Sequence, residues 1–376
     1  MNCYYFGSYS NYSNEDYTSS IPGNIKMHYL EKKMQESGIA NICIISFALK
    51  NKKAYKHKKT KTDLGSDLYY SPGFSQTSRI GRLLDKLFKK IYFFFFFLLK
   101  IKKKDKILIY HSGWTSFLKR MCRFKKVFSI LEVEEVYSFS DYADEKPEKE
   151  IKVIKGFDSY IFINDYLPVL LKTQVPFVVC YGVIRNDLFY RYDKCEKKQD
   201  DKIHLVYAGV ISNKRQGAFC ALDVASKLSN NYVLHIIGSG SEEDIRCLKS
   251  KIYENNRISD RCKVELNGFL KGDALYNFLS SCDIGLSTYN LRANFSDCSL
   301  PSKVITYMCC GLKVVIGYTK AFQYMPISKC WFFYTTQDAE NIAISVKNAA
   351  SAPRVDHFSE LDNYDKRIVE FFKKFV

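Results

Sequence analysis

From Ile203 to Tyr334, six short runs of β-branched and aromatic residues alternate with helix-like segments, and this alternation constrains the fold more than any other feature of the chain. The runs are Ile203–Ala208, Val233–Ile237, Lys263–Asn267, Asp283–Ser287, Lys313–Ile316 and Trp331–Tyr334; Ala218–Lys227, Glu242–Tyr253 and Ala274–Ser280 lie between them. Strands joined through helices pair in parallel, so the pattern predicts a doubly wound α/β sheet. The first half repeats it less regularly, with Cys3–Phe6, Ile42–Phe47, Ile107–His111, Val127–Leu131, Tyr160–Ile163 and Phe177–Cys180. Asp193–Lys202 is almost wholly polar and charged and reads as a linker. The expected architecture is two Rossmann-like, doubly wound domains facing a cleft. The first covers 1–192, the linker 193–202 and the second 203–352; in the closing segment, 353–376, the helical Tyr364–Val376 packs back on the first domain.

Parallel sheets hold ligands beyond the carboxyl ends of their strands. Three elements at that edge of the second domain suit a nucleotide diphosphate. The run SLPSKVITYMCCGLKVVIG (299–317) places Pro301, Ser302 and Lys303 at the start of a helix of about two turns, which Gly311 ends. A lysine in a first turn opposes the helix dipole unless an anion is present, so Lys303 marks a phosphate cradle. Gly209–Gly217 (GVISNKRQG) brings Lys214 and Arg215, and Gly238-Ser239-Gly240 precedes an acidic helix start. A tight turn with no ligand is the other reading of the glycines in that last loop.

Charge is concentrated rather than general. The chain carries +17, yet Lys50–Lys126 alone holds 22 basic and 4 acidic residues, a local +18. Within it Ile91–Ile101 (IYFFFFFLLKI) is flanked by lysines, and at 11 residues is too short to span a bilayer, which needs about 20. Aromatic bulk between lysines suits an interfacial element on an anionic membrane; a buried helix with basic ends is the other reading. The 13 cysteines form no CxxC pair and read as reduced thiols, not a disulfide framework or zinc site. Met1–Tyr17 lacks the basic start and apolar run of a signal peptide, so a cytoplasmic protein, peripheral on the inner face of the membrane, is expected.

The motif order YAG (207–209), HIIGSGSEED (235–244), VELNGFLKGDALYNFLSSCDIGLS (264–287) and SLPSKVITYMCCGLKVV (299–315) resembles the nucleotide-binding domain of bacterial GT-B glycosyltransferases, near the large retaining family 4. The resemblance covers most of 203–350. It implies a donor domain taking a nucleotide sugar, UDP-linked, as substrate with no separate cofactor, and an acceptor domain before it. Lys303 with Arg215 or Lys214 would hold the diphosphate, the backbone around Gly209 and Gly238–Gly240 would approach the nucleotide, and Asn294 to Ser299 would line the donor sugar, with Ser302 and Thr306 beside it. Many relatives carry two glutamates where this chain has Cys298 and Thr306; Val210 and Gln216 also depart from the usual basic residues. In the first half LEVEEVYSF (131–139), after Tyr110-His111-Ser112, resembles a segment of bacterial polysaccharide glycosyltransferases. Glu134, Glu135 and Tyr137 there, with His111, are the acceptor-side candidates. Asp144–Glu150 reads as a solvated acidic loop balancing the basic run, and a packed core histidine is the other reading of His111.

The resulting expectation is a glycosyltransferase moving a hexosyl group to a lipid-linked glycan in surface polysaccharide assembly. With no Asp-x-Asp pair in place, Lys303 and Arg215 would meet the leaving diphosphate without a metal. An inverting route needs a base, Glu135 or Glu134; a retaining route does not need one there, and both stay open. A non-catalytic scaffold, suggested by Cys298 and Thr306, and a nucleotide-sugar epimerase on the same fold are the alternatives. Nucleic-acid binding is disfavoured because the basic run surrounds a continuous apolar block, and a dinucleotide oxidoreductase because no GxGxxG follows a first strand.

Overall fold

The structure is a computed structural model that describes all residues except 13–16, 19, 51–54, 75–76, 140–145, 186, 189–199, 289–296 and 376. Two compact units emerge, one of Met1–Val183 with Tyr364–Val376, the other of Ile184–Asn363. The expected linker falls mostly outside the described residues.

The first unit contains β1 (Cys3–Gly7), β2 (Tyr17–Thr18), β3 (Ile42–Ser46), β4 (Leu49–Lys50), β5 (Lys58–Lys61), β6 (Asp67–Tyr70), β7 (Lys106–Tyr110), β8 (Phe128–Val133), β9 (Ser159–Phe162) and β10 (Phe177–Val179). Eight of them form one sheet in the order β10-β9-β8-β7-β1-β3-β6-β5, parallel except where β5 meets β6; β2 and β4 pair separately. Strand β1 is buried throughout, as a central parallel strand covered on both faces must be.

Two helices of this unit carry side chains described below. Helix α1 (Ile21–Glu36) follows β1, with Ser20 as its N-cap. Helix α2 (Arg79–Leu99) is capped by Ser78, whose hydroxyl accepts from Gly81 N at 3.0 Å. Its 21 residues begin twelve positions before the apolar run that marked it in the sequence. The phenylalanine run divides between two environments. Phe93 and Phe97 are buried against Phe6 of β1, with ring centroids 5.9 and 5.4 Å apart, while Phe94 and Phe95 are exposed. Neither an interfacial nor a buried reading covers the whole segment, because a helix sends neighbouring residues to different faces. Among the described residues no helix is long and apolar enough to cross a membrane.

The second unit holds β11 (Ile203–Ala208), β12 (Tyr232–Ile237), β13 (Lys263–Gly268), β14 (Ile284–Ser287), β15 (Lys313–Gly317) and β16 (Trp331–Tyr334). They form one all-parallel sheet ordered β13-β12-β11-β14-β15-β16, so the strand order reverses between β11 and β14. At such a switch point the loops of neighbouring strands part and leave room for a ligand. Its core joins Leu205, Leu234, Ile236, Leu286 and Val315 of the sheet to Ala218, Leu222, Leu248 and Val346 of the covering helices.

Candidate functional site

The switch point is shaped by one aromatic residue and a set of glycines. Tyr207, next to last in β11, is buried, and its hydroxyl donates to the Val210 carbonyl at 3.3 Å. A side chain on Gly217 would meet that hydroxyl at 2.4 Å, so glycine is required where α6 (Gly217–Ala225) starts above it. The loops after β11 and β12 lie backbone against backbone: a Cβ on Gly238 would fall 1.8 Å from the Gly209 carbonyl oxygen, and one on Gly240 2.1 Å from that of Ile211. Ile211 N donates to Ser239 O at 2.9 Å. These two glycines thus serve close packing of two loops, the tight-turn alternative taken one step further. Ser241 caps α7 (Glu242–Asn256), and Asp244 in that first turn accepts from Asn213 N at 3.0 Å, pinning the loop that carries Lys214 and Arg215.

Lys303 is the second residue of α9 (Ser302–Cys309), which Pro301 opens without a side-chain cap, leaving first-turn N–H groups available. Helix α8 (Gly272–Ser280) precedes it in the same unit. Gly311, with φ of 77°, ends α9 as its sequence position predicts. Tyr307, one turn beyond Lys303, ties the helix to the sheet by accepting from Ala208 N at 2.8 Å. The Lys303 ammonium stands 4.0 Å from the centroid of the Tyr207 ring, and a Cβ on Gly209 would lie 3.2 Å from it. Burial and then the Arg215 guanidinium push Lys303 down to about 7. Among the described residues neither Lys303 nor Arg215 forms an ion pair, so no carboxylate there offsets the positive charge.

The remaining donor-side candidates scatter around this centre. Lys214 is exposed on the same loop as Arg215, Ser302 is exposed at the helix start, and Ser299 is buried. Thr306, standing where relatives carry a glutamate, donates its hydroxyl to Ser302 O at 3.3 Å within its own helix. Cys298 is buried. Asn294 lies outside the described residues.

In the first unit the carboxyl edge of the sheet carries a different constellation. Lys26 of α1 is buried, 3.0 Å from Glu134 Oε1, and donates to the Cys180 carbonyl at 2.9 Å. Burial opposes its charge, but Cys180, Glu134 and Glu132 together hold the ammonium above its ordinary value. Glu132, the fifth residue of β8, is fully buried and accepts from the Tyr5 hydroxyl. Burial, with the Glu134 carboxylate beside it, pushes Glu132 well above the usual carboxylate range. Glu135 is half-buried and Tyr137 exposed.

His111 is buried, its Nε2 2.7 Å from Glu150 Oε1 and its Nδ1 3.2 Å from Thr115 Oγ1. Glu150 also accepts from the backbone N–H groups of Tyr137 and Ser138, at 3.1 and 2.7 Å. Although burial raises it, hydrogen bonds from His111 and Ser138 leave Glu150 below its ordinary value. The expectation of a solvated acidic loop therefore fails at Glu150, because this carboxylate is the anchor that fixes the turn after β8. Asp144 and Glu145 lie outside the described residues.

Sequence reasoning passed over Tyr207, Tyr307, Lys26 and Tyr5 as parts of these edges. A weak signal existed for the first two: an aromatic residue directly before the Gly209 loop, and another one helical turn after Lys303.

Residues 202–351 match the family model described as Glycosyl transferases group 1. No curated protein matches the sequence. Among solved structures the fold resembles a trehalose-6-phosphate synthase, with a TM-score of 0.69 at 9% identity over 100% of this chain and 97% of that one. An E. coli structure, trehalose-6-phosphate bound with UDP-2-fluoro glucose, aligns at 0.66 and 10% identity over 99% and 97%. A UDP-forming α,α-trehalose-phosphate synthase from Burkholderia xenovorans, in complex with glucose-6-phosphate, aligns at 0.67 and 8% over 100% and 98%. With the reversed strand order of the second unit and the cationic switch point on it, residues 202–351 are similar to a glycosyl transferases group 1 domain, and the chain has the GT-B fold of the trehalose-phosphate synthase structures.

Proposed function

We propose that this glycosyltransferase moves a hexosyl group from a nucleotide sugar, UDP-linked, to a lipid-linked glycan during surface polysaccharide assembly, working as a cytoplasmic protein on the inner face of the membrane. The observation that carries the donor half is Lys303, an ammonium at an uncapped helix start with Arg215 near and no ion-pair partner among the described residues. In transfer, the bond from the anomeric carbon to the diphosphate breaks, and the bond to the acceptor oxygen forms. Lys303 and Arg215 meet the charge that develops on the leaving diphosphate, in place of a metal. Acceptor chemistry is assigned to the first unit, where Glu134 or Glu135 takes the acceptor proton if the anomeric centre inverts.

The membrane half rests on α2. Ile80, Leu83, Leu84, Leu87, Phe88, Ile91, Phe94, Phe95, Leu98 and Leu99 are all exposed, at the three- and four-residue spacing of one helix face. Exposed Arg79, Arg82, Lys86 and Lys90 accompany them, and Lys100 and Lys102–Lys104 follow. An apolar helix face with cations beside it suits the headgroup boundary of an anionic bilayer.

A phosphorylated sugar as acceptor is the second reading, favoured by the glucose-6-phosphate held in the Burkholderia xenovorans structure. Two measurements test the proposal. A thermal-shift screen against UDP, GDP, ADP and CMP should give a selective rise with UDP that Lys303→Ala abolishes. Flotation with anionic vesicles at low salt should carry the protein upward; a protein that stays below while transferring sugar to glucose-6-phosphate would replace the lipid reading with the second one.

A further inference from the structure

The Lys303 ammonium faces an aromatic surface rather than a carboxylate. Tyr207 offers it the face of its ring, 4.0 Å from centroid to Nζ, and that ring has little freedom. Its hydroxyl is bonded to Val210 O, and the backbones of Gly209 and Gly217 close over it so tightly that a Cβ on Gly217 would collide with that hydroxyl and one on Gly209 would press it at 3.0 Å. Arg215, from the loop after β11, and Tyr207 itself are the charged and titratable groups that face Lys303 among the described residues. Tyr207 is held up to about 12 by burial, so its ring is neutral at physiological pH.

A ring face attracts a cation, and the attraction grows where water is scarce. It also leaves the ammonium protons free, whereas a carboxylate would occupy them. We propose that Tyr207 is a positioning residue of the donor site, its ring holding the Lys303 ammonium in the empty protein where the donor diphosphate arrives. The inference rests on the donor reading of Lys303. A lysine stem left loose would have to be ordered when the donor binds, and a rigid ring beneath it removes that cost beforehand. The same contact keeps a proton on an amine that burial and Arg215 otherwise discharge. Above about pH 7 the empty protein begins to lose that proton, and binding of the anion must restore it.

Calorimetric titration of the full chain with UDP between pH 7 and 9 tests this. The terminal phosphate of UDP, with a second pKa near 6, gains its last charge by about pH 8, which would raise affinity, so a fall with pH reports on the protein. Affinity should fall as pH rises, and Lys303→Ala should weaken binding at pH 7 on the order of a hundredfold. Tyr207→Phe should stay within about twofold, whereas Tyr207→Leu should weaken binding on the order of tenfold and move the alkaline fall to lower pH. Because Tyr207→Leu also opens the core, mono-, di- and trifluorinated phenylalanine at position 207 gives a second measurement. Each fluorine drains charge from the ring face with little change of shape, so affinity should fall stepwise along the series. A flat series, with Lys303→Ala still weakened, overturns the role of Tyr207 and leaves the donor reading intact. UDP binding unaffected by Lys303→Ala overturns both.

Discussion

The carboxyl edges of the two sheets are built on opposite electrostatic plans. In the first unit the ionisable groups at this edge have partners in the protein: Lys26 meets Glu134, His111 meets Glu150, and Glu132, pushed well above the usual carboxylate range, is bonded by Tyr5. In the second unit Lys303 and Arg215 bring two cations together, and among the described residues no carboxylate answers either. A balanced edge suits a neutral, hydroxyl-rich ligand that exchanges hydrogen bonds. An edge with surplus positive charge suits a ligand that brings negative charge with it. The difference supports the proposed division of the sugar acceptor and the diphosphate between the two units.

The sharpest way to break the comparison is to unbalance the first edge. Lys26→Met leaves the half-buried Glu134 carboxylate beside the buried Glu132 with no cation, and removing one member of a buried pair costs up to about 3–5 kcal/mol. Urea denaturation should register that loss, and Glu134→Gln added to Lys26→Met should recover part of it. A loss below about 1 kcal/mol would mean that the edge does not depend on charge balance.

On the second edge the corresponding change strikes turnover before stability. Lys303→Ala removes a cation from the leaving diphosphate and should lower the transfer rate about 10²–10³-fold, the scale seen when one electrostatic stabiliser is deleted. Steady-state kinetics with the donor that the thermal-shift screen selects would measure it. Near-normal turnover would detach Lys303 from the chemistry.

Much of this contrast could be read in the sequence, and the remainder could not, for physical reasons. Strands β11 and β16 coincide with their sequence-derived limits because short apolar runs between turn signals have one interpretation. Strands β5 and β6 escaped notice, since KKTK is solvent-facing and DLYY alternates over only four residues. Helix α2 was half seen: Gly81 and the mixed charges of its first turns hid its start, and the apolar run drew attention to its end. Lys303 stood out because a lysine is unfavourable at a helix start. Tyr207 and Lys26 did not, because each acquires its role from a partner brought near only by the folded sheet.

The second edge should also carry a stability penalty from its buried ammonium. Lys303 sits near 7 in the folded chain against 10.5 when unfolded, so between those values the folded protein binds fewer protons than the unfolded one. Stability of the empty protein therefore rises with pH through that window, and the penalty is full below pH 7. Lys303→Met should stabilise the empty protein by about 1 kcal/mol at pH 6, the gain shrinking towards pH 10. Denaturation curves at the two pH values test the sign; a gain that grew with pH would show that the ammonium is at ease where it stands.

The smallest effect is expected one turn further along α9, and it decides what replaced a glutamate. Thr306 occupies a position where many relatives place a carboxylate, yet its hydroxyl donates to the Ser302 carbonyl of its own helix. A hydroxyl bonded in this way closes on the backbone and has little left for a ligand. Thr306→Val keeps the shape and removes only that bond, so donor KM and kcat should each stay within about twofold of the parent. If KM instead rises tenfold, the hydroxyl leaves the backbone when the donor binds, and the surplus charge of this edge is joined by a neutral contact to the nucleotide sugar. If neither constant moves, recognition at this edge rests on the cations and the loop backbones, and the missing glutamate marks a site that selects its donor by charge.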